Sequence, residues 1–69
     1  MSSLVKVIEV MAESDKSWED AAHTAVRIAS KTVRNVKSIW VDNFSAVVEN
    51  GKIVKYRVDG KISFLLEGT

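Results

Sequence analysis

The chain has 69 residues, with no Cys, no Pro and a single His, His23. A chain of this length buries only about 60% of the surface that its unfolded form exposes, so it usually needs a disulfide, a metal or a partner to stay folded. The missing Cys removes disulfides and thiolate metal sites, and His23 alone cannot build a zinc site, which leaves self-association. Ten Lys and Arg against nine Asp and Glu give a net charge of +1, without the basic excess of a dedicated nucleic-acid binder. The opening apolar run is too short and too charged for a signal peptide or a membrane span, so the expectation is a cytoplasmic protein with no membrane partner. No linker, repeat or low-complexity stretch interrupts residues 1–69, which read as one domain.

In chain order, Leu4–Met11 is rich in Val and Ile and reads as a strand that needs cover on both faces. Ala12–Lys16 reads as a polar loop. Ser17-Trp18-Glu19-Asp20 fits a capping box, in which the Ser17 hydroxyl accepts from the Asp20 amide and the Asp20 carboxylate reaches back. A helix then runs from Trp18 to Arg34, with Trp18, Ala21, Ala22, Ala25, Ile28, Ala29 and Thr32 on one face. Acidic Glu19 and Asp20 in the first turn and basic Lys31 and Arg34 in the last suit the helix dipole, and Asn35 is a left-handed stop.

Val36–Val48 is strand-like again, and Asn50-Gly51 marks a two-residue type I′ hairpin. The third strand alternates cleanly. Val54, Tyr56, Val58, Gly60, Ile62, Phe64 and Leu66 point one way, and Lys55, Arg57, Asp59, Lys61, Ser63 and Glu67 the other. Gly60 on the apolar side allows a bend or a close approach. The fold class is therefore α+β, a β-α-β-β chain whose third strand is central and pairs antiparallel with both neighbours. Strands of this length span about 45 Å, whereas a compact chain of this size has a radius of gyration of about 11 Å. The sheet must curl round the helix, extend into neighbouring subunits, or both.

Little here suggests catalysis. His23 is a solvated helix residue, adjacent Glu19 and Asp20 diverge round the helix, and no glycine-rich loop, nucleophile elbow or metal-ligand spacing appears. The chain is expected not to be an enzyme. Binding is easier to build. Trp40 should face away from the helix, as an interface residue or as a stacking platform for a planar ligand. Lys55, Arg57 and Lys61 form a stripe that is either solvated and ion-paired or able to hold an anionic group. Trp18 reads as a core or interface plug.

Several segments together resemble the dodecins, small flavin-binding proteins. These are Val5-Lys6-Val7-Ile8-Glu9, Ser17-Trp18-Glu19-Asp20-Ala21, Ala29-Ser30-Lys31-Thr32-Val33-Arg34-Asn35, Glu49-Asn50-Gly51-Lys52-Ile53, Tyr56-Arg57-Val58 and Phe64-Leu65-Leu66-Glu67-Gly68. The resemblance implies a three-stranded sheet wrapped round one helix, assembled as a hollow homododecamer. It also implies storage of riboflavin or FMN, with the flavin stacked between Trp side chains and hydrogen-bonded by a Gln. Counted from the Asn-Gly turn, those Trp and Gln positions fall on Ser38 and Arg57, while Trp40 lies two residues from Ser38 on the same face. Trp40, Arg57 and Ser38 are therefore the candidate flavin contacts. The alternative is a dodecin-type shell without flavin, holding calcium or small anions or acting as a scaffold.

Overall fold

A computed structural model describes residues 2–66. It contains β1 (Leu4–Ser14), α1 (Trp18–Thr32), β2 (Val36–Glu49) and β3 (Lys52–Leu66). The sheet is three-stranded in the order β1-β3-β2, antiparallel throughout, so the strand with the cleanest alternation is the central one. At the β2–β3 turn Asn50 and Gly51 have φ of 53° and 75°, both left-handed as a type I′ turn requires. Glu67 and Gly68, the last residues of the family resemblance, lie outside the described residues.

One sheet face packs on α1. Its core is Ala12, Ala21, Ala25, Val58 and Ile62, bordered by Ile8, Val10, Ala29, Val36, Ile39 and Val41. Ala21 and Ala25 carry only methyl groups, which brings the helix axis close to the sheet. Val58 and Ile62 are fully buried beneath them, and each contributes about 1.5–3 kcal/mol by leaving water. The buried seam is narrower than the helical periodicity suggests, since Ile28 stays 55% exposed. Alanines spaced four apart form the contact, and the flanking Ile28 lies beyond the sheet's reach.

Two boundaries and one capping contact differ from the sequence reading, each for a local reason. β1 continues through Ala12, Glu13 and Ser14, because these residues pair in register with Val58, Arg57 and Tyr56 of β3. The Ser17 hydroxyl accepts from the Asp20 amide at 2.9 Å as expected, but the Asp20 carboxylate turns instead to the Ser14 hydroxyl at 2.6 Å. Ser14 Oγ in turn accepts from the Lys16 and Ser17 amides, so one buried hydroxyl joins the end of β1 to the start of α1. At its far end the helix stops at Thr32, where Val33 is extended and donates its amide to the Ala29 carbonyl. Consecutive β-branched residues weaken that last turn. Asn35 does adopt the left-handed conformation, with φ of 59°, but it opens β2 rather than capping α1.

The molecule is long, 54 × 20 × 13 Å, with a radius of gyration of 14.3 Å against the roughly 11 Å of a compact chain this size. Its accessible surface is 5317 Å², where a compact monomer of 7.7 kDa exposes about 4,300 Å². Met11, Phe44, Val48 and Leu4 are each more than 60% exposed. Replacing the cap tests the local account. Ser17→Ala removes the bond to the Asp20 amide and is expected to cost about 0.5–2 kcal/mol per chain. Thermal melting should show a clear downward shift, and an unchanged melting temperature would mean that Ser14 alone caps the helix.

Candidate functional site

The sheet face opposite α1 carries the polar and aromatic residues in rows fixed by strand register. Trp40 of β2 pairs with Lys61 of β3, and Lys61 pairs with Glu9 of β1. One row along, Ser38 pairs with Ser63, and Ser63 with Val7. In the other direction Ser45 pairs with Arg57, and Arg57 with Glu13. Side chains alternate across a strand, so these residues share the face that the helix does not cover.

Trp40 is 53% exposed, a large ring left largely in water although Ile39 and Val41 beside it pack towards the helix. Its placement depends on a backbone contact. A Cβ on Gly60 would collide with the Trp40 carbonyl oxygen, so β2 and β3 approach this closely only because residue 60 has no side chain. The register of β2 then shifts between Val41 and Asn43. This irregularity leaves Asp42 beside Lys61, with Oδ2 3.7 Å from Nζ. Trp40 thus stands next to a half-exposed, oppositely charged pair on the open face.

Ser38 lies on the same face, but its hydroxyl is engaged with that of Ser63. Arg57 is held more firmly. Its Nε donates to Oε2 of Glu13, and Lys55 Nζ lies 3.7 Å from the other oxygen of that carboxylate. The hydrogen bond from Arg57, aided by both positive charges, holds the Glu13 carboxyl below the usual carboxylate range, although partial desolvation opposes the shift. The basic stripe is therefore ion-paired around Glu13 at one end and Asp42 at the other. Glu13 falls in the segment read as a loop, which hid its role, yet it has the same parity as Val7, Glu9 and Met11 in an extended β1.

Ser38 and Trp40 are neighbours on this face. Arg57 is not beside them, because four positions of β3 separate it from Lys61, about 13 Å along the strand. Within one chain, then, the expected contacts share a surface without converging on one pocket. His23 is exposed on the helix, 4.0 Å from the Glu19 carboxylate, as a solvated residue should be. Trp18 acts as a plug. It stacks edge-on against Tyr56 at 4.9 Å and Phe44 at 6.1 Å, and its indole N–H donates to the Ser45 carbonyl at 2.9 Å. Among the described residues no group of three or more metal-ligating side chains could hold an ion, and no helix is long and apolar enough to cross a membrane.

The Dodecin family model matches residues 4–67. A protein named calcium dodecin from Mycobacterium tuberculosis is 32% identical over 62 residues, 90% of this chain and 87% of its own length. A crystal structure of the calcium-chelating calcium dodecin of that organism is 34% identical, with a TM-score of 0.82 over 97% of this chain and 96% of that one. The dodecin from Streptomyces coelicolor is 28% identical, with a TM-score of 0.92 over 97% and 96% of the two chains. A variant of the Thermus thermophilus dodecin is 25% identical, with a TM-score of 0.92 over 99% and 100%.

The Glu13 cluster has a pH signature. A carboxyl whose value is lowered in the folded state contributes stability above the ordinary glutamate value of about 4.3 and loses it as the pH falls through the lowered value. Glu13→Gln should therefore lower the melting temperature at pH 7, and the gap from the parent protein should close progressively below about pH 4. A gap that stays constant across that range would mean that the ion pair contributes nothing to stability.

Proposed function

The chain belongs to the dodecin family, and on that premise we propose that it is a non-catalytic binding protein that assembles as a homododecameric shell and sequesters a flavin, riboflavin or FMN, on the sheet face that carries Trp40. The observation that carries this reading is the Trp40 indole, more than half exposed on the face away from the helix. An aromatic ring left in water on a β-surface suits a planar conjugated ligand, which buries both π-faces at once. Ser38 adjoins Trp40 on the same face, and its hydroxyl, bonded to that of buried Ser63, keeps acceptor capacity for a polar ring edge. Arg57 reaches such a ligand from another copy rather than its own, since it stands well along the strand from Trp40. Storage without turnover is part of this reading, in which the carboxylates of Glu13 and Asp42 on this face are engaged in ion pairs with Arg57, Lys55 and Lys61.

A second reading has one specific observation behind it, the relative named calcium dodecin. In that reading the shell holds a cation, with carboxylates such as Glu9, Asp42 and Asp59 contributed by more than one copy.

Titration of riboflavin and FMN against the protein, followed by quenching of flavin fluorescence, separates the two. Trp40→Ala should abolish the quenching and leave the assembly size unchanged, since an aromatic contact contributes about 0.5–1.5 kcal/mol, up to roughly tenfold in affinity, on each ring face. Ser38→Trp combined with Arg57→Gln should tighten binding. Absence of quenching at tens of micromolar flavin in the parent protein, with calcium binding seen by calorimetry, would replace the first reading with the second.

A further inference from the structure

The net charge of +1 conceals an uneven distribution. Residues 21–41 carry Arg27, Lys31, Arg34 and Lys37 and no Asp or Glu, whereas the rest of the chain has six Lys and Arg against nine Asp and Glu. All four basic residues are exposed. The ion pairs among the described residues use His23, Lys55, Arg57 and Lys61, so none of them engages this group. Arg27 and Lys31 lie about one turn apart, about 6 Å along α1, on the side turned away from Ala21 and Ala25, which pack on the sheet. Arg34 just past the helix and Lys37 at the start of β2 carry the basic charge on beyond the helix end. A basic stripe along one helix face is the electrostatic footprint of a phosphate backbone.

Going beyond the proposed function, and independently of its flavin site, we propose that this stripe binds duplex DNA through the phosphates, without reading base sequence. A duplex presents one negative charge about every 1.7 Å of its axis, so several phosphates fall within the span of the stripe. Four whole positive charges outweigh the helix end beside them, whose dipole amounts to about half a negative charge. The form of the surface selects the occupant. Residues 21–37 include no Phe, Tyr or Trp, so this convex face offers no platform on which the bases of a single strand could stack. A helix lying on a membrane buries its apolar face among the headgroups, whereas the apolar face of α1 already packs on Val58 and Ile62, leaving exposed Ile28 as one aliphatic side chain at its flank. An anionic membrane plane would also meet Glu19 and Asp20 in the first turn of α1, while a duplex crossing the far half of the helix avoids them.

Titration of a fluorescein-labelled, random-sequence DNA duplex of about 30 bp with the parent protein, read by anisotropy between about 20 and 200 mM salt, tests the stripe. Affinity should fall steeply as salt rises. In Arg27→Gln/Lys31→Gln the slope of log affinity against log salt should become shallower by about 1.8 for each chain that touches the duplex, since every lost phosphate contact removes about 0.9. Binding at about 50 mM salt should weaken at least roughly tenfold. Gln is a good helix former, so both substitutions keep the helix. Lys6→Gln/Lys52→Gln removes the same charge from exposed positions away from the stripe and should leave the slope unchanged. Equal weakening in the two double variants, or no binding by the parent protein at about 20 mM salt, would overturn the proposal. Tighter binding to vesicles of phosphatidylserine and phosphatidylcholine than to the duplex, lost in Arg27→Gln/Lys31→Gln, would overturn it in favour of a membrane surface. Quenching of flavin fluorescence by Trp40 is a separate readout, so the proposed function stands or falls apart from these outcomes.

Discussion

A helix of fifteen residues rises about 22 Å, whereas the hairpin strands beneath it, at fourteen and fifteen residues, extend for about 45–50 Å. One helix therefore covers about half the length of one sheet face and none of the other. The covered half is well made. Ala21 and Ala25 sit directly over Val58 and Ile62, and all four are buried or nearly so. The uncovered part still exposes large apolar side chains, with Phe44, Val48, Ile53 and Val54 along the hairpin and Val5, Val7 and Met11 on β1. The elongated shape, the excess surface and the exposed aromatic ring all follow from that mismatch between helix and sheet.

Small local devices hold the sheet in the form that presents Trp40. Gly60 lets β2 approach β3 closely enough for the Trp40 carbonyl to occupy the space of a missing side chain. The register shift that follows sets Asp42 beside Lys61. At the other end of β3, Glu13 joins the edge strand to Arg57 and Lys55, while Ser14 on the opposite face secures the start of the helix. The Trp18 indole N–H joins that same helix start to the Ser45 carbonyl of β2. These contacts fix the relation of β1, α1 and the hairpin, and with it the open face that carries Trp40 and Ser38.

Much of the fold was legible in the sequence because its signals are periodic or local. The alternation from Val54 to Leu66 marked the central strand, Asn50-Gly51 marked the turn, and Ser17 marked the cap. What escaped depends on tertiary partners. Ala12, Glu13 and Ser14 look like a loop until Val58, Arg57 and Tyr56 supply their register partners. Ile28 fits the helical stripe, but the sheet is not wide enough to reach it. The position of Trp40 on the open face was readable from the alternation of β2, and the side-by-side placement of Ser38 followed from the same rule. The separation of Arg57 from that pair was not readable, because it depends on which residue of β3 each residue of β2 meets.

The central claim is that the chain is incomplete as a monomer, since its helix covers too little of its sheet. Sedimentation equilibrium of the unmodified protein at micromolar concentration tests this most directly. The account predicts a single species many times heavier than the 7.7 kDa chain, with no folded monomer in equilibrium with it. A folded, monodisperse species of 7.7 kDa under those conditions would contradict it.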